Sequence, residues 1–159
     1  MAQVLTQAPL IVARWSQPLR TFAGAAGTDI KRQRHGAPHG GGQNDHLYAT
    51  LEWLKRAQDR GGGGFSYGYS LRGGWLPPYR ETTGYILTTF YRAADALADR
   101  SLAARAEQAA HWLVTVQNAD GGFANPKYGR DGIVFDTGQC LFGLVTAYER
   151  TGHSTFLEA

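Results

Sequence analysis

Apolar side chains recur at helical spacing through residues 44–159, and two kinds of stripe alternate. Within 44–58, Leu47, Leu51 and Leu54 fall four and three apart. That spacing predicts an amphipathic helix capped near Asn44-Asp45. Over 81–99, Tyr85, Ile86, Leu87, Phe90, Ala93, Ala94 and Leu97 cover most of the circumference, which predicts a helix buried on several sides. Residues 101–117 are amphipathic again, with Leu102, Ala106, Ala109, Leu113 and Val116 inward and Arg105, Glu107 and Gln108 outward. Residues 136–151 return to near-complete apolarity through Cys140, Leu141, Phe142, Leu144, Val145, Ala147 and Tyr148. Gly152 ends that helix, and His153-Ser154 open a fifth that reaches Ala159. The alternation predicts an all-α fold in two layers, with outer helices half in water and inner helices sandwiched.

The same pattern is written twice. Glu52-Trp53-Leu54, Gln58, a glycine run and Phe65 return as His111-Trp112-Leu113, Gln117, Asp120-Gly121-Gly122 and Phe123. Thr82-Thr83-Gly84-Tyr85 returns 54 positions on as Asp136-Thr137-Gly138-Gln139. A period of 54 to 59 residues, built from helix, glycine loop and helix, predicts stacked helical hairpins. The glycines at 61–64 stop the first helix, and Gln58 and Gln117 are expected to pin helix ends to loop backbone. The loop 65–80 is rich in aromatics, and Pro77-Pro78 keep its end extended. Leu102 aligns with Phe156, again 54 apart, so the last residues are expected to begin another outer helix and stop inside it. On that reading the chain is a fragment of a longer repeat.

Charge and cysteine change the picture little. Residues 1–43 carry Arg14, Arg20, Lys31, Arg32 and Arg34 against Asp29 alone, so this leader is the source of the chain's net charge of +3, the remainder being slightly acidic. Pro9, Pro18, Pro38 and the glycines at 40–42 predict an irregular basic tail, with Trp15 and Phe22 as possible anchors. A nucleic-acid interface would need its basic residues on a structured face, so none is expected. Cys140 is the single cysteine and lies in an apolar run, which makes it a small core residue and excludes an intrachain disulfide. No stretch approaches the roughly 20 apolar residues of a membrane span. Nor does Leu10-Ile11-Val12-Ala13 make a signal peptide, so a cytoplasmic location is expected.

Gln117-Asn118-Ala119-Asp120-Gly121-Gly122-Phe123 resembles the glutamine–tryptophan repeat of triterpene cyclases, with Phe in place of Trp. The first copy at 58–65 is the same motif with one extra glycine. Residues 75–86 (Trp75-Leu76-Pro77-Pro78-Tyr79-Arg80-Glu81-Thr82-Thr83-Gly84-Tyr85-Ile86) and 135–144 resemble bacterial (α/α) toroid proteins associated with polysaccharide biosynthesis. That class is related in fold to six-hairpin glycosidases and to terpenoid cyclases and prenyltransferases. The resemblance covers residues 44–159 and implies a partial toroid of about two hairpins. Complete toroids have more hairpins, so exposed flanks of the inner helices, and self-association through them, are expected. One toroid hosts several chemistries, so the resemblance bears on fold more than on activity.

In a toroid the inner helices aim their N-termini at a central cleft. The resemblance therefore puts Glu81, Asp136 and Gln139 at its mouth and Tyr85 one turn in. Two carboxylates there suit general acid–base or nucleophilic attack on a glycosidic bond, and Tyr85 suits proton abstraction. Trp75, Tyr79 and Tyr128 on the rim suit sugar rings, and Arg80 suits a uronate carboxylate. Each residue also has a plain structural reading. Asp136 and Glu81 stand where acids cap or complement a helix start, and Asp120 is a turn residue. Trp53 and Trp112 are packing residues, and His111 lies at the surface. One cysteine and five scattered histidines give no zinc spacing, so no metal and no cofactor are expected. The expected function is a carbohydrate-active toroid acting on or binding a polysaccharide, as hydrolase, lyase or epimerase. The alternatives are a non-catalytic sugar-binding scaffold and a terpenoid cyclase or prenyltransferase-like protein. The fragment alone is expected to be inactive.

Overall fold

The computed structural model describes residues 43–159; the rest of the basic leader, with Trp15 and Phe22, lies outside the described residues. The described chain is mostly helical. Its elements are α1 (Gln43–Gly61), β1 (Tyr69–Ser70), β2 (Gly74–Trp75), α2 (Arg80–Leu97), α3 (Arg100–Val116), α4 (Val134–Thr151) and α5 (Thr155–Glu158). None of the described helices is long and apolar enough to cross a membrane. By its contacts the chain divides into two units: residues up to 51 with 68–76, and residues 52–67 with 77–159.

In the smaller unit, the aromatic loop forms a short antiparallel ladder that helical patterning does not anticipate. Tyr69 pairs with Trp75 and Ser70 with Gly74. The Ser70 hydroxyl oxygen accepts the N–H groups of Arg72 and Gly73 at 3.3 and 3.2 Å, and Gly74 takes φ +78° to close the turn. The Tyr69 and Trp75 rings meet edge to face at 5.3 Å, a pairing suited to strands. Of the expected α1 stripe in this unit, Leu51 is buried and Leu47 is exposed.

In the larger unit α2 packs against both α3 and α4. Helix α3 turns Leu102, Ala106, Ala109, Ala110 and Leu113 inward, as its periodicity predicts, while Val116 is half-buried. Asp99 starts α3 by accepting the Ser101 N–H at 2.9 Å. Phe65 and Phe90 meet edge to face at 5.0 Å within a core that also holds Leu87, Leu144 and Phe156. Cys140 is buried there, and burial chiefly pushes its thiol up to about 12, so it behaves as a small apolar residue.

The sequence repeat is a repeat of hydrogen bonds. Gln58 Nε2 donates to the Gly63 carbonyl at 3.1 Å and to the Arg105 carbonyl at 2.7 Å. Gln117 Nε2 donates to Gly121 at 2.9 Å and to Ala159 at 2.6 Å. Phe65 N–H reaches the Thr83 hydroxyl at 2.9 Å, and Phe123 N–H reaches that of Thr137 at 3.0 Å. Both glutamines thus pin a helix end to its glycine loop, the role their spacing suggests, and each also reaches a distant carbonyl, on Arg105 and on the terminal Ala159. Trp112 packs against the first of these loops; a methyl group at Gly64 would overlap its ring. Trp53, its counterpart on α1, is exposed, with the Arg56 guanidinium 5.8 Å from its ring centroid.

Helix α4 departs from the sandwiched position its apolarity predicts. It buries Asp136, Cys140, Gly143, Leu144 and Ala147 and exposes Val134, Phe135, Leu141, Phe142 and Val145. Its buried edge meets α2 at backbone range. A side chain at Gly84 would collide with the Gln139 carbonyl, and one at Gly143 with the Gly84 carbonyl. At the far end, the Arg150 guanidinium forks onto the Asp95 carboxylate, 2.9 Å through Nη1. Helix α2 is likewise not buried all round, for Tyr85, Thr89, Arg92, Asp95 and Ala96 are exposed.

Candidate functional site

Two loops lead into the starts of α2 and α4, and each is held open by an extended pairing. Tyr79 N–H donates to Phe65 O at 3.0 Å and Tyr67 N–H to Pro77 O at 3.3 Å. In the second copy Ile133 N–H donates to Phe123 O at 3.0 Å. Pro77 and Pro78 have no N–H to offer, so this stretch stays extended and cannot be drawn into the helix. After Phe123 the chain turns on Asn125. Its carbonyl accepts the N–H groups of Tyr128 and Gly129 at 2.9 and 3.2 Å, and its side-chain oxygen accepts that of Lys127 at 3.0 Å.

A cleft of about 330 Å³ is the result. One wall is Tyr67, Pro77, Pro78 and Tyr79; the other is Asn125, Pro126, Lys127 and Tyr128. Tyr67 and Tyr79 meet edge to face at 6.0 Å, and the Lys127 ammonium stands 5.4 Å from the Tyr128 ring centroid. A row of hydrogen bonds leads from this cleft into the fold. Asn125 Nδ2 donates to the Tyr79 hydroxyl at 2.6 Å, and that hydroxyl donates to Asp136 Oδ2 at 2.6 Å. Asp136 is only 5% exposed.

The electrostatics follow from this burial. Desolvation, and then the hydrogen bond to Asp136, hold the Tyr79 hydroxyl well above the usual tyrosine range, so it stays protonated and donating. Burial is also the main reason the Glu81 carboxyl is raised; the Thr82 hydroxyl, donating to it at 3.2 Å, opposes this, and the Asp136 charge adds to it. The two acids therefore feel one another across the helix starts.

The residues singled out by sequence divide into those this row gathers and those it does not. Tyr79, Asp136 and Tyr128 belong to the cleft or its row, and Glu81 is coupled to Asp136. The N-cap of α4 is Ile133, with no side-chain cap, so Asp136 lies inside the first turn and serves Tyr79 instead of capping. Asp120 is the turn residue expected, accepting Gly122 N–H at 3.0 Å. Tyr85 is 40% exposed on α2, and the tyrosine on the carboxylate is Tyr79. Gln139 is half-buried, with its carbonyl against Gly84. Trp75 belongs to the ladder of the smaller unit. Arg80 spends two donors on carbonyls, Nε on Val116 at 3.1 Å and Nη1 on Ala124 at 3.0 Å. It also borders a second hollow of about 380 Å³, lined with Asn118, Ala124, Pro126, Gly129 and Arg130.

Sequence reasoning missed Asn125; it placed the loops 67–80 and 126–134 at a cleft rim without singling out Tyr67 or Lys127. Tyr67 had a signal in the aromatic loop, and its counterpart after the second phenylalanine is Asn125. It also missed a cluster able to hold a metal ion: one ligand atom each from Glu107, His111 and His153, all within 4.8 Å of one another. Glu107 and His111, four apart on one helix, were the available clue. Comparison with protein-family models, with curated proteins and with solved structures finds no match to the chain. What fold and site define together is a mostly helical chain with a repeated glutamine–glycine-loop hydrogen-bond pattern and an aromatic, proline-walled cleft.

Proposed function

We propose that the chain has an (α/α) toroid arrangement of about two hairpins and binds a polysaccharide in the Tyr67–Tyr128 cleft. Support for the toroid comes from register. Gly84 and Asp95 of α2 meet α4, and their counterparts 54 residues on, Gly138 and Glu149, stand open on α4. The exposed flank of α4 thus repeats the covered flank of α2, as a helix inside a ring of hairpins would require. Self-association through that flank is the expected consequence, and sedimentation of the purified chain as a concentration-independent monomer would count against it.

The observation that carries the binding reading is the Asn125–Tyr79–Asp136 row beside stacked apolar walls. Tyrosine and proline faces pack on the C–H faces of sugar rings, while an oriented amide, hydroxyl and ammonium meet sugar hydroxyls. Arg80 and Arg130 in the neighbouring hollow suit the carboxylate of a uronate, which makes an acidic polysaccharide the favoured ligand. Asp136 is buried and committed to Tyr79, which fits an orienting role better than proton transfer to a glycosidic oxygen. Calorimetric titration of neutral and uronate oligosaccharides tests this. Uronate oligomers are expected to bind tighter. Tyr128→Ala is expected to weaken binding by about tenfold or more, and Tyr85→Ala to leave it unchanged. No saturable binding of either class sinks the proposal.

A second, catalytic reading rests on Glu81. A carboxyl raised by burial beside a second acid is a general-acid candidate for a hydrolase, lyase or epimerase. It requires oligosaccharide turnover by the chain that Glu81→Gln abolishes without loss of binding. The terpenoid reading calls for a dry cavity with a free buried acid; Asp136 is already hydrogen-bonded, and the cleft walls carry Asn125 and Lys127.

A further inference from the structure

Away from the cleft, α3 and the corner before α5 bring three metal-ligating side chains together. Glu107 and His111 are four residues apart on α3, which sets them one above the other on the same helix face. His153 comes from the α4–α5 corner, immediately after the helix-ending Gly152. Its Nδ1 stands 3.4 Å from Glu107 Oε1, and one ligand atom of each of the three residues lies within 4.8 Å of the others. Two imidazoles and a carboxylate form the donor set of three-ligand zinc sites, with one position left for water.

The rings are held in place by more than the helix. Phe156 is 2% exposed, and the His111 ring lies 4.7 Å from it at 57° while the His153 ring lies 5.9 Å away at 35°. The two histidine centroids are 6.2 Å apart. A buried aromatic therefore backs both exposed imidazoles on one side and leaves their other faces open to a cation. Softer imidazole nitrogens beside one carboxylate favour zinc over calcium or magnesium, which take oxygen donors.

We infer that Glu107, His111 and His153 form a zinc site that clamps the α4–α5 corner to α3. The carboxylate and imidazoles supply three ligands, and water supplies the fourth. Because the ion bridges residues 46 apart in the chain, it stabilises the folded state and raises the unfolding midpoint in proportion to its occupancy.

Zinc chloride titrated calorimetrically into the full chain at neutral pH, alongside thermal unfolding with and without zinc, tests the inference. Saturable one-to-one binding and a zinc-dependent rise in midpoint are expected. His153→Ala and His111→Ala should each weaken binding by at least about tenfold, the scale of losing even an outer-shell partner, and abolish the rise in midpoint. His35 and His39 are a separate histidine pair, so a His35→Ala/His39→Ala double variant is the necessary control, and it should bind as the parent does. Should a single-histidine variant lose its fold, Glu107→Gln supplies the same readout with minimal change of shape. Absence of zinc binding, binding that survives both His111→Ala and His153→Ala, or binding lost only in the double control overturns the inference.

Discussion

The Gly84 flank of α2 and the Gly138 flank of α4 carry matching residues in one register and meet opposite surroundings. Thr83-Gly84 corresponds to Thr137-Gly138, Leu87 to Leu141, Asp95 to Glu149 and Ala98 to Gly152, each 54 apart. Gly84 touches backbone of α4, whereas a methyl group at Gly138 would meet nothing within 4 Å. Leu87 is fully buried and Leu141 is exposed. Asp95 is paired with Arg150, and Glu149 stands on the exposed side. Apolar residues in a helix therefore do not specify whether a neighbour is present; only the packing of the second helix distinguishes the two copies.

The comparison is broken most forcefully at its glycines. Gly84→Ala forces a methyl group into the Gln139 carbonyl and the Cys140 backbone, neither of which can swing aside. A loss of about 3 kcal/mol or more is expected. Gly138→Ala should do the reverse, stabilising α4 by about 0.5–1 kcal/mol through backbone entropy. Urea unfolding of the two variants checks both signs, and equal effects would mean that the flanks are not as different as described.

The helix ends sharpen the contrast at smaller magnitude. Ala98 closes α2 in the left-handed region at φ +53°, where its counterpart on α4 is Gly152 at φ +73°. Exchanging them one at a time should raise stability by about 1 kcal/mol for Ala98→Gly and lower it by about as much for Gly152→Ala. Thermal unfolding midpoints report the difference.

The smallest effect concerns pH. Glu81 has the apolar counterpart Phe135, so only the first copy titrates at this position. Burial chiefly raises the Glu81 carboxyl in the fold, so its contribution favours folding below the unfolded value and is lost as pH rises through the folded value. Glu81→Gln removes that loss. Its stability relative to the parent should therefore grow as pH rises above the ordinary carboxylate range, and a flat difference in urea midpoint would contradict the shift.

Particular elements show where sequence reading succeeded. The start and end of α3 fall within one residue of the pattern-based bounds, because 3.6-residue periodicity is a local property. The roles of Gln58 and Gln117 were legible because a donor at a fixed offset from a glycine loop has one nearby carbonyl to reach. The ladder at 69–75 was hidden, since two-residue strands leave no periodic trace. It belongs to the extra length of the first copy: Phe65 and Thr83 are 18 apart where Phe123 and Thr137 are 14 apart.

The candidate site was half legible. Aromatics and acids at helix starts drew attention to Tyr79, Glu81, Tyr128 and Asp136, but nothing local says that Tyr79 will reach an aspartate 57 residues away. The same holds for His111 and His153, which become neighbours only because α5 folds back onto α3 and places Phe156 under both rings.

Sequence by itself determined the helices and the repeated glutamine–glycine-loop pattern, since these depend on spacing and turn chemistry within a few residues. Tertiary structure alone decided which apolar flank is covered, which acid the Tyr79 hydroxyl reaches and which histidines meet. Those outcomes depend on backbone approaches, such as the glycine contact of α2 and α4, that bring distant parts of the chain together.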